Sequence, residues 1–248
     1  EELVIACEVC EDLWVPLPPS TRHALAGATL ICNPSASDET TTKEIYRRNL
    51  VSNQSARLIS GYIYASAGEG ESTQDVVYSG HNLICENGSI LAEAKRFTNE
   101  TIYAQIDLQR LSTERRRMTT FFDEIEEAYV TVPFSMEMKE VELERIYPKT
   151  PFIPSDRKER DKRCDEILTI QAMGLKKRLE HTRCQHAVIG ISGGLDSTLA
   201  VLVTARAFDM LGLPRENMIC VTMPCYGTTD RTYQNAITLI KRLGATLK

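Results

Sequence analysis

Long apolar runs are missing from this sequence. None approaches the ~20 residues needed to span a bilayer, and the opening EELVIACEVC lacks the basic start and small-residue cleavage site of a secretory signal. No membrane partner is expected, and the expected address is the cytoplasm. An excess of basic charge is missing too. Lys and Arg number 29 against 34 Asp and Glu, and no basic stretch is interleaved with aromatics, so nucleic acid is not an expected partner. Histidine is scarce. His23, His81, His181 and His186 have no ligand spacing relative to the one C-x-x-C pair, Cys7 and Cys10, which argues against a thiol-bound metal. The eight cysteines are scattered, several within apolar strand-like runs, as suits reduced buried thiols better than a disulfide framework. Internal repeats and low-complexity tracts are absent.

What is present is a globular composition, 42% hydrophobic and 25% charged over 248 residues, enough for one large domain or parts of two. The apolar run at 3–9 predicts a buried strand, followed by a proline-rich turn and a helix over 20–26. A strand at 28–37, a helix at 43–60 and a strand at 61–67 complete a β-α-β-α-β order. HNLICENGSILAEAKRF predicts two strands joined by an Asn-Gly turn, and TIYAQIDLQRL a last strand. A charged helix over 112–126 leads into a proline-rich linker. Beyond it, a long helix from Asp161, strand HAVIGIS, helix LDSTLAVLVTARAFDML, strand MICVTMP and helix RTYQNAITLIKRLG alternate as in a parallel sheet.

The stretch HAVIGISGGLDSTLAVLV sets a Gly-rich turn between a strand and a helix. Backbone N–H groups and the positive end of the helix dipole then converge on one spot, which favours phosphate. The turn spans Gly190, Ile191, Ser192, Gly193, Gly194, Leu195, Asp196 and Ser197. No lysine precedes the hydroxyl residue, so it is not a Walker loop. Gly193 and Gly194 permit close wrapping around an anion, Ser192 and Ser197 offer hydroxyls, and Asp196 can face a phosphate-bound Mg2+. SGGLDST resembles in full the PP-loop of the N-type ATP pyrophosphatases, which cradles the pyrophosphate released when ATP adenylates a carboxylate. That resemblance implies amide formation through an acyl-AMP. It also makes Val221 and Met223, on the next strand, candidates for the adenine pocket, with core packing as the alternative for both.

Cys10 follows the first strand, where a thiol can project into a cleft. On spacing alone a buried inert thiol is the favoured reading over a nucleophile. VCEDLWVP, CNPSAS, YIYASAGEGEST and HNLICENGSILAEA resemble the second half of the nitrilase-type amidases, whose nucleophile matches Cys10 and not Cys7; Cys7 is expected in the core. These amidases use a Glu-Lys-Cys triad in which both partners precede the cysteine. Neither Glu8 nor Glu11 is assigned to it. The resemblance implies that Ser37 and Lys43 hold the glutamine α-carboxylate. Lys43, standing where relatives carry Arg, brings a point charge in place of a bidentate fork. Trp14 lines the same pocket or belongs to the core. The loop Gly68 to Ser72 faces a domain interface or is a solvated acidic loop.

An amidase of this kind fused to a PP-loop domain resembles the glutamine-dependent NAD+ synthetases. The fold expected is α/β: the C-terminal part of a nitrilase-like αββα sandwich, then the start of a parallel-sheet, Rossmann-like PP-loop domain. The expected divisions are residues 1–125, a linker at 126–160, and 161–248, in a chain truncated at both ends. The implied chemistry is ATP- and Mg2+-dependent amidation of deamido-NAD with ammonia from glutamine, in an enzyme that forms homo-oligomers. Another PP-loop amidotransferase, or a catalytically incomplete ATP-binding piece, is the alternative.

Overall fold

A computed structural model of the chain describes residues 3–72, 74–121, 129–137, 139–223 and 229–248. Two compact units emerge, Glu1–Ile146 and Tyr147–Lys248. The division expected after residue 125 lies outside the described residues.

The first unit is built on a five-stranded sheet in chain order. β1 (Ile5–Cys7), β2 (Leu30–Ser35) and β3 (Gly61–Ser66) run parallel; β4 (Leu83–Glu86) and β5 (Ser89–Glu93) add antiparallel. Parallel pairing needs crossovers, and helices α1 (Pro19–Leu25) and α2 (Lys43–Leu58) supply them. Ile31, Tyr62, Tyr64, Leu83 and Cys85 point from the strands into a core completed by Ala24, Val51, Leu58 and Leu111. Asn87 and Gly88, at φ 44° and 84°, make the tight turn between β4 and β5, and only residues tolerant of positive φ at both positions permit it.

Two expectations change here. The first strand is shorter than 3–9 and not buried: it lies at the sheet edge, and Ile5 and Cys7 are exposed while Ala6 packs on the core. Alternation dictates this, since a strand covered on one face buries every second side chain. Cys7 is therefore outside the core, in register with Cys32. The expected strand at 101–111 instead gives way to helix α3 (Leu108–Arg117). Asp107 caps it by accepting from the Arg110 N–H at 2.9 Å, while its own N–H donates to Glu86 at 2.7 Å. Once capped, α3 places Arg115 inside the unit. Its guanidinium donates to the carbonyls of Ala28 (2.7 Å), ahead of β2, and of Leu58 (3.0 Å) and Ile59 (3.0 Å), at the end of α2. The chain at 142–145 is held to the same unit. Gln105 Oε1 accepts from the N–H groups of Glu144 and Arg145, and Arg145 forms a two-pronged pair with buried Glu86 at 2.7 and 2.8 Å.

In the second unit α4 (Arg157–Thr182) precedes β6 (Ala187–Gly190), α5 (Leu195–Leu211), β7 (Met218–Val221), α6 (Asp230–Leu243) and β8 (Thr246–Leu247). The strands lie in the order β6-β7-β8, all parallel. Crossovers of one hand stepping in one direction put α5 and α6 on one face, where Val201, Phe208, Met218, Cys220 and Ile240 share a core with Leu179 of α4. Val188, on the opposite face, is 71% exposed. Among the described residues no helix is long and apolar enough to cross a membrane.

Candidate functional site

In the first unit β1 stops at Cys7, and a 3-10 helix over Cys10–Trp14 begins after Glu8 and Val9. Asp12 sets the turn by accepting the Val9 N–H at 2.7 Å. Cys10 has φ 51°, a left-handed conformation that costs a side-chain-bearing residue energy and persists only where its surroundings enforce it. The enforcement comes from Asn33 on β2. Its Oδ1 accepts the Cys10 N–H at 2.9 Å and its Nδ2 donates to the Tyr62 hydroxyl at 3.1 Å. Tyr62 in turn donates to Glu8 Oε1, and Glu8 Oε2 accepts the Ser20 N–H at 2.8 Å. Burial, with the Glu8 carboxylate beside it, pushes the Tyr62 hydroxyl far above its ordinary pKa, so it remains a neutral donor. With both oxygens engaged and its side chain buried, Glu8 is not a base for Cys10. Cys10 itself is half-buried, just past the end of β1.

Lys43 and Trp14 come together beside this turn. Lys43 Nζ lies 5.5 Å from the centre of the Trp14 ring, and Trp14 stacks on Tyr46 at 5.3 Å. Trp14 is half-buried and packs on the core, as one of its two readings expected. The Lys43 ammonium donates to Asp38, at 2.7 Å to the carbonyl and 2.8 Å to Oδ1. Hydrogen bonding and charge from Lys43 hold the Asp38 carboxyl below its usual range. Ser37, one residue earlier, is buried.

Behind that segment lies a group of charges that sequence reasoning missed. Arg47, fully buried, donates to Glu39 Oε2 at 3.0 Å and meets His81 Nδ1 at 3.1 Å; His81 Nε2 meets Glu93 Oε1 at 2.9 Å. Arg47 can only donate, so His81 Nδ1 accepts and Nε2 carries the proton toward Glu93. Burial pushes Glu39 up, but hydrogen bonds from Ser79 and Arg47 and the charges of Arg47 and Arg96 outweigh it, leaving its pKa lowered. The network braces the chain from Ser37 to Lys43 from below. Asn33, Tyr62, Glu8 and Arg47 share one legible signal: each is a polar residue at a position that strand or helix periodicity assigns to the core.

In the second unit the loop from Gly190 to Ser197 joins β6 to α5. Gly190 ends the strand in register with Val221, and the Ile191 N–H donates to the Val221 carbonyl at 2.8 Å, with Ile191 buried. Gly193 has φ 81°, and a Cβ there would lie 2.1 Å from the Thr232 carbonyl oxygen. Gly194 is the N-cap residue of α5. Ser192 Oγ accepts the Gly194 N–H at 3.3 Å and lies 3.2 Å from Ser197 Oγ, so the two hydroxyls converge on the start of the helix. Asp196, in the first turn, is exposed, as is Leu195. Met223, just past β7, is 75% exposed, which removes core packing for it; Val221 is half-buried. Cys225 lies outside the described residues. The Gly68–Ser72 loop is anchored by Asn99, whose Oδ1 accepts the Glu69 N–H at 3.1 Å, and Glu69, Gly70 and Glu71 are exposed. Among the described residues no group of three or more His, Cys, Asp or Glu is arranged to hold a metal ion.

Comparison with known proteins assigns the two halves separately. Residues 2–116 match the carbon-nitrogen hydrolase family and residues 167–248 the NAD synthase family. A glutamine-dependent NAD(+) synthetase of Mycobacterium leprae (strain TN) is 41% identical over 98% of this chain and 37% of the relative. One from Thermotoga maritima is 26% identical over 97% of this chain and 40% of the relative. The chain thus spans well under half the length of these relatives. The solved structure of a glutamine-dependent NAD+ synthetase from Acinetobacter baumannii in complex with adenosine diphosphate aligns over 98% of this chain and 38% of that one. The identity is 18% and the TM-score 0.39.

Proposed function

We propose that the chain belongs to the glutamine-dependent NAD+ synthetases, with a carbon-nitrogen hydrolase segment followed by an NAD synthase segment, and that the gene product carrying it amidates deamido-NAD to NAD+. Cys10 is the nucleophile that releases the nitrogen. Its sulfur bonds to the carboxamide carbon of glutamine, the C–N bond breaks, and ammonia leaves with the thiol proton; water then frees glutamate from the thioester. Ser37 and Lys43 bind the glutamine α-carboxylate, and Trp14 forms the adjoining wall. Because Lys43 is engaged with Asp38, binding exchanges one carboxylate partner for another.

The Gly190–Ser197 loop binds ATP. The nicotinate carboxylate attacks the α-phosphorus, pyrophosphate departs into the loop, and ammonia displaces AMP from the acyl carbon. Backbone N–H groups and the start of α5 face the departing charge, and Ser192 and Ser197 donate to it. Met223 borders the adenine. The residues present fit Mg2+ as an ion that arrives with the nucleotide: one exposed carboxylate, Asp196, beside two hydroxyls is a partial oxygen shell of the kind phosphates complete. Bound there, Mg2+ offsets charge on the leaving group.

The observation that carries the reading is that one chain holds both a cysteine in an enforced left-handed turn and a PP-loop in which Gly193 cannot bear a side chain. The test is to supply the full gene product with deamido-NAD, ATP, Mg2+ and glutamine. Stoichiometric NAD+, AMP, pyrophosphate and glutamate are expected; pyrophosphate without NAD+ would point to a different acceptor.

A further inference from the structure

Three buried residues, Glu8, Tyr62 and Asn33, form one directional chain of hydrogen bonds that ends on the backbone of Cys10. Glu8 can only accept as a carboxylate, so the proton between it and Tyr62 belongs to the Tyr62 hydroxyl. The hydroxyl oxygen is then left to accept, and Asn33 Nδ2 donates to it at 3.1 Å. That fixes which way the Asn33 amide faces, aiming Oδ1 at the Cys10 N–H, 2.9 Å away. Nδ2 also reaches the Cys10 carbonyl at 3.4 Å, so one amide engages both backbone groups of Cys10. The far end is anchored as well. Glu8 Oε2 accepts the Ser20 N–H, and Ser20 Oγ accepts from Gln54 on α2 at 3.0 Å. Glu8, Asn33 and Tyr62 are each at most 2% exposed, so no water competes for these bonds.

We infer that Tyr62, acting through Asn33 and polarised by Glu8, is a positioning residue that holds Cys10 at positive φ in the attacking arrangement. The inference rests on Cys10 being the glutamine nucleophile. Without the hydroxyl, the Asn33 amide loses what fixes its direction, and the turn can relax toward ordinary backbone angles.

Tyr62→Phe in the full gene product tests it, with Asn33→Leu as the second variant and Cys10→Ala as control. Glutamine-driven and ammonia-driven NAD+ synthesis are both measured. Tyr62→Phe is expected to lower kcat for glutamine at least ~10-fold, and Asn33→Leu further, with glutamine KM within about threefold and ammonia-driven rates unchanged. Equal loss of both activities, or a change confined to KM, would overturn the positioning role, as would an unchanged kcat in both variants. If either variant does not fold, the other carries the measurement. If both fail, alkylation of Cys10 by a glutamine-shaped electrophile in Glu8→Gln, slower than wild type as expected or equal to it, decides. Should Cys10→Ala leave glutamine-driven synthesis intact, the nucleophile assignment fails first, and the inference falls with it.

Discussion

A methyl group placed on Gly193 would lie 2.1 Å from the carbonyl oxygen of Thr232, with the carbonyl carbon at 2.8 Å. Both are backbone atoms at the start of α6, and neither can turn aside as a side chain would. The close approach fixes the loop where β6 meets α5. Gly193→Ala, also strained by its φ of 81°, is therefore expected to push the loop out of shape. Pyrophosphate release with ammonia as the nitrogen source should fall by ~100-fold or more, while glutamine hydrolysis persists.

Asp196→Asn keeps that loop but removes the one exposed carboxylate in the first turn of α5. Adenylation should slow by ~100- to 1,000-fold while nucleotide still binds. Pyrophosphate release at saturating ATP across a Mg2+ titration is the measurement. A wild-type rate at every Mg2+ concentration would remove Asp196 from the metal role.

Arg115 tests the first unit's packing. Three carbonyls depend on its guanidinium, which also lies over the Phe121 ring at 4.9 Å. Arg115→Met keeps the apolar stem and strands the three acceptors. A loss of about 2–4 kcal/mol in denaturant unfolding is expected, and an unchanged midpoint would show that the carbonyls find other partners.

Acid should unfold the same unit by a route that can be assigned. Glu39 and Glu93 both have lowered pKa values in the fold: burial raises each, but Ser79 and Arg47 for Glu39, and His81 and Arg48 for Glu93, outweigh it. A carboxylate whose folded pKa is depressed contributes stability that is present above its unfolded pKa of about 4.3 and is lost as pH falls through the lower folded value. Thermal midpoints should thus hold above about pH 5 and drop steeply below pH 4. Glu39→Gln should make that drop shallower, and an equally steep decline in the variant would assign it elsewhere.

Much of this was legible in the residues. SGGLDST specified its turn because Gly193 tolerates a positive φ and the close approach of Thr232, and Asn87-Gly88 specified its hairpin through positive φ at both positions. TIYAQIDLQRL misled because its alternation resembles a strand, whereas the fold uses Asp107 as a helix cap under the direction of Glu86, a residue twenty-one positions earlier. Nothing local to the segment contains that bond. The same holds for Cys10: its own neighbourhood reads sooner as an inert thiol, and its restraint comes from Asn33 and Tyr62 on two other strands. Polar residues in apolar runs, such as Asn33 in LICN and Glu8 in IACEVC, were the available sign, but periodicity treats them as noise.

The most direct test of the account is Cys10→Ala in the full gene product, assayed in parallel with glutamine and with ammonia. Ammonia bypasses only the step proposed for the thiol. Glutamine-driven NAD+ formation should fall by ~1,000-fold or more while ammonia-driven formation stays within about twofold of wild type. Equal loss of both, or retention of both, would contradict the assignment of Cys10 as the nucleophile that releases the amide nitrogen from glutamine.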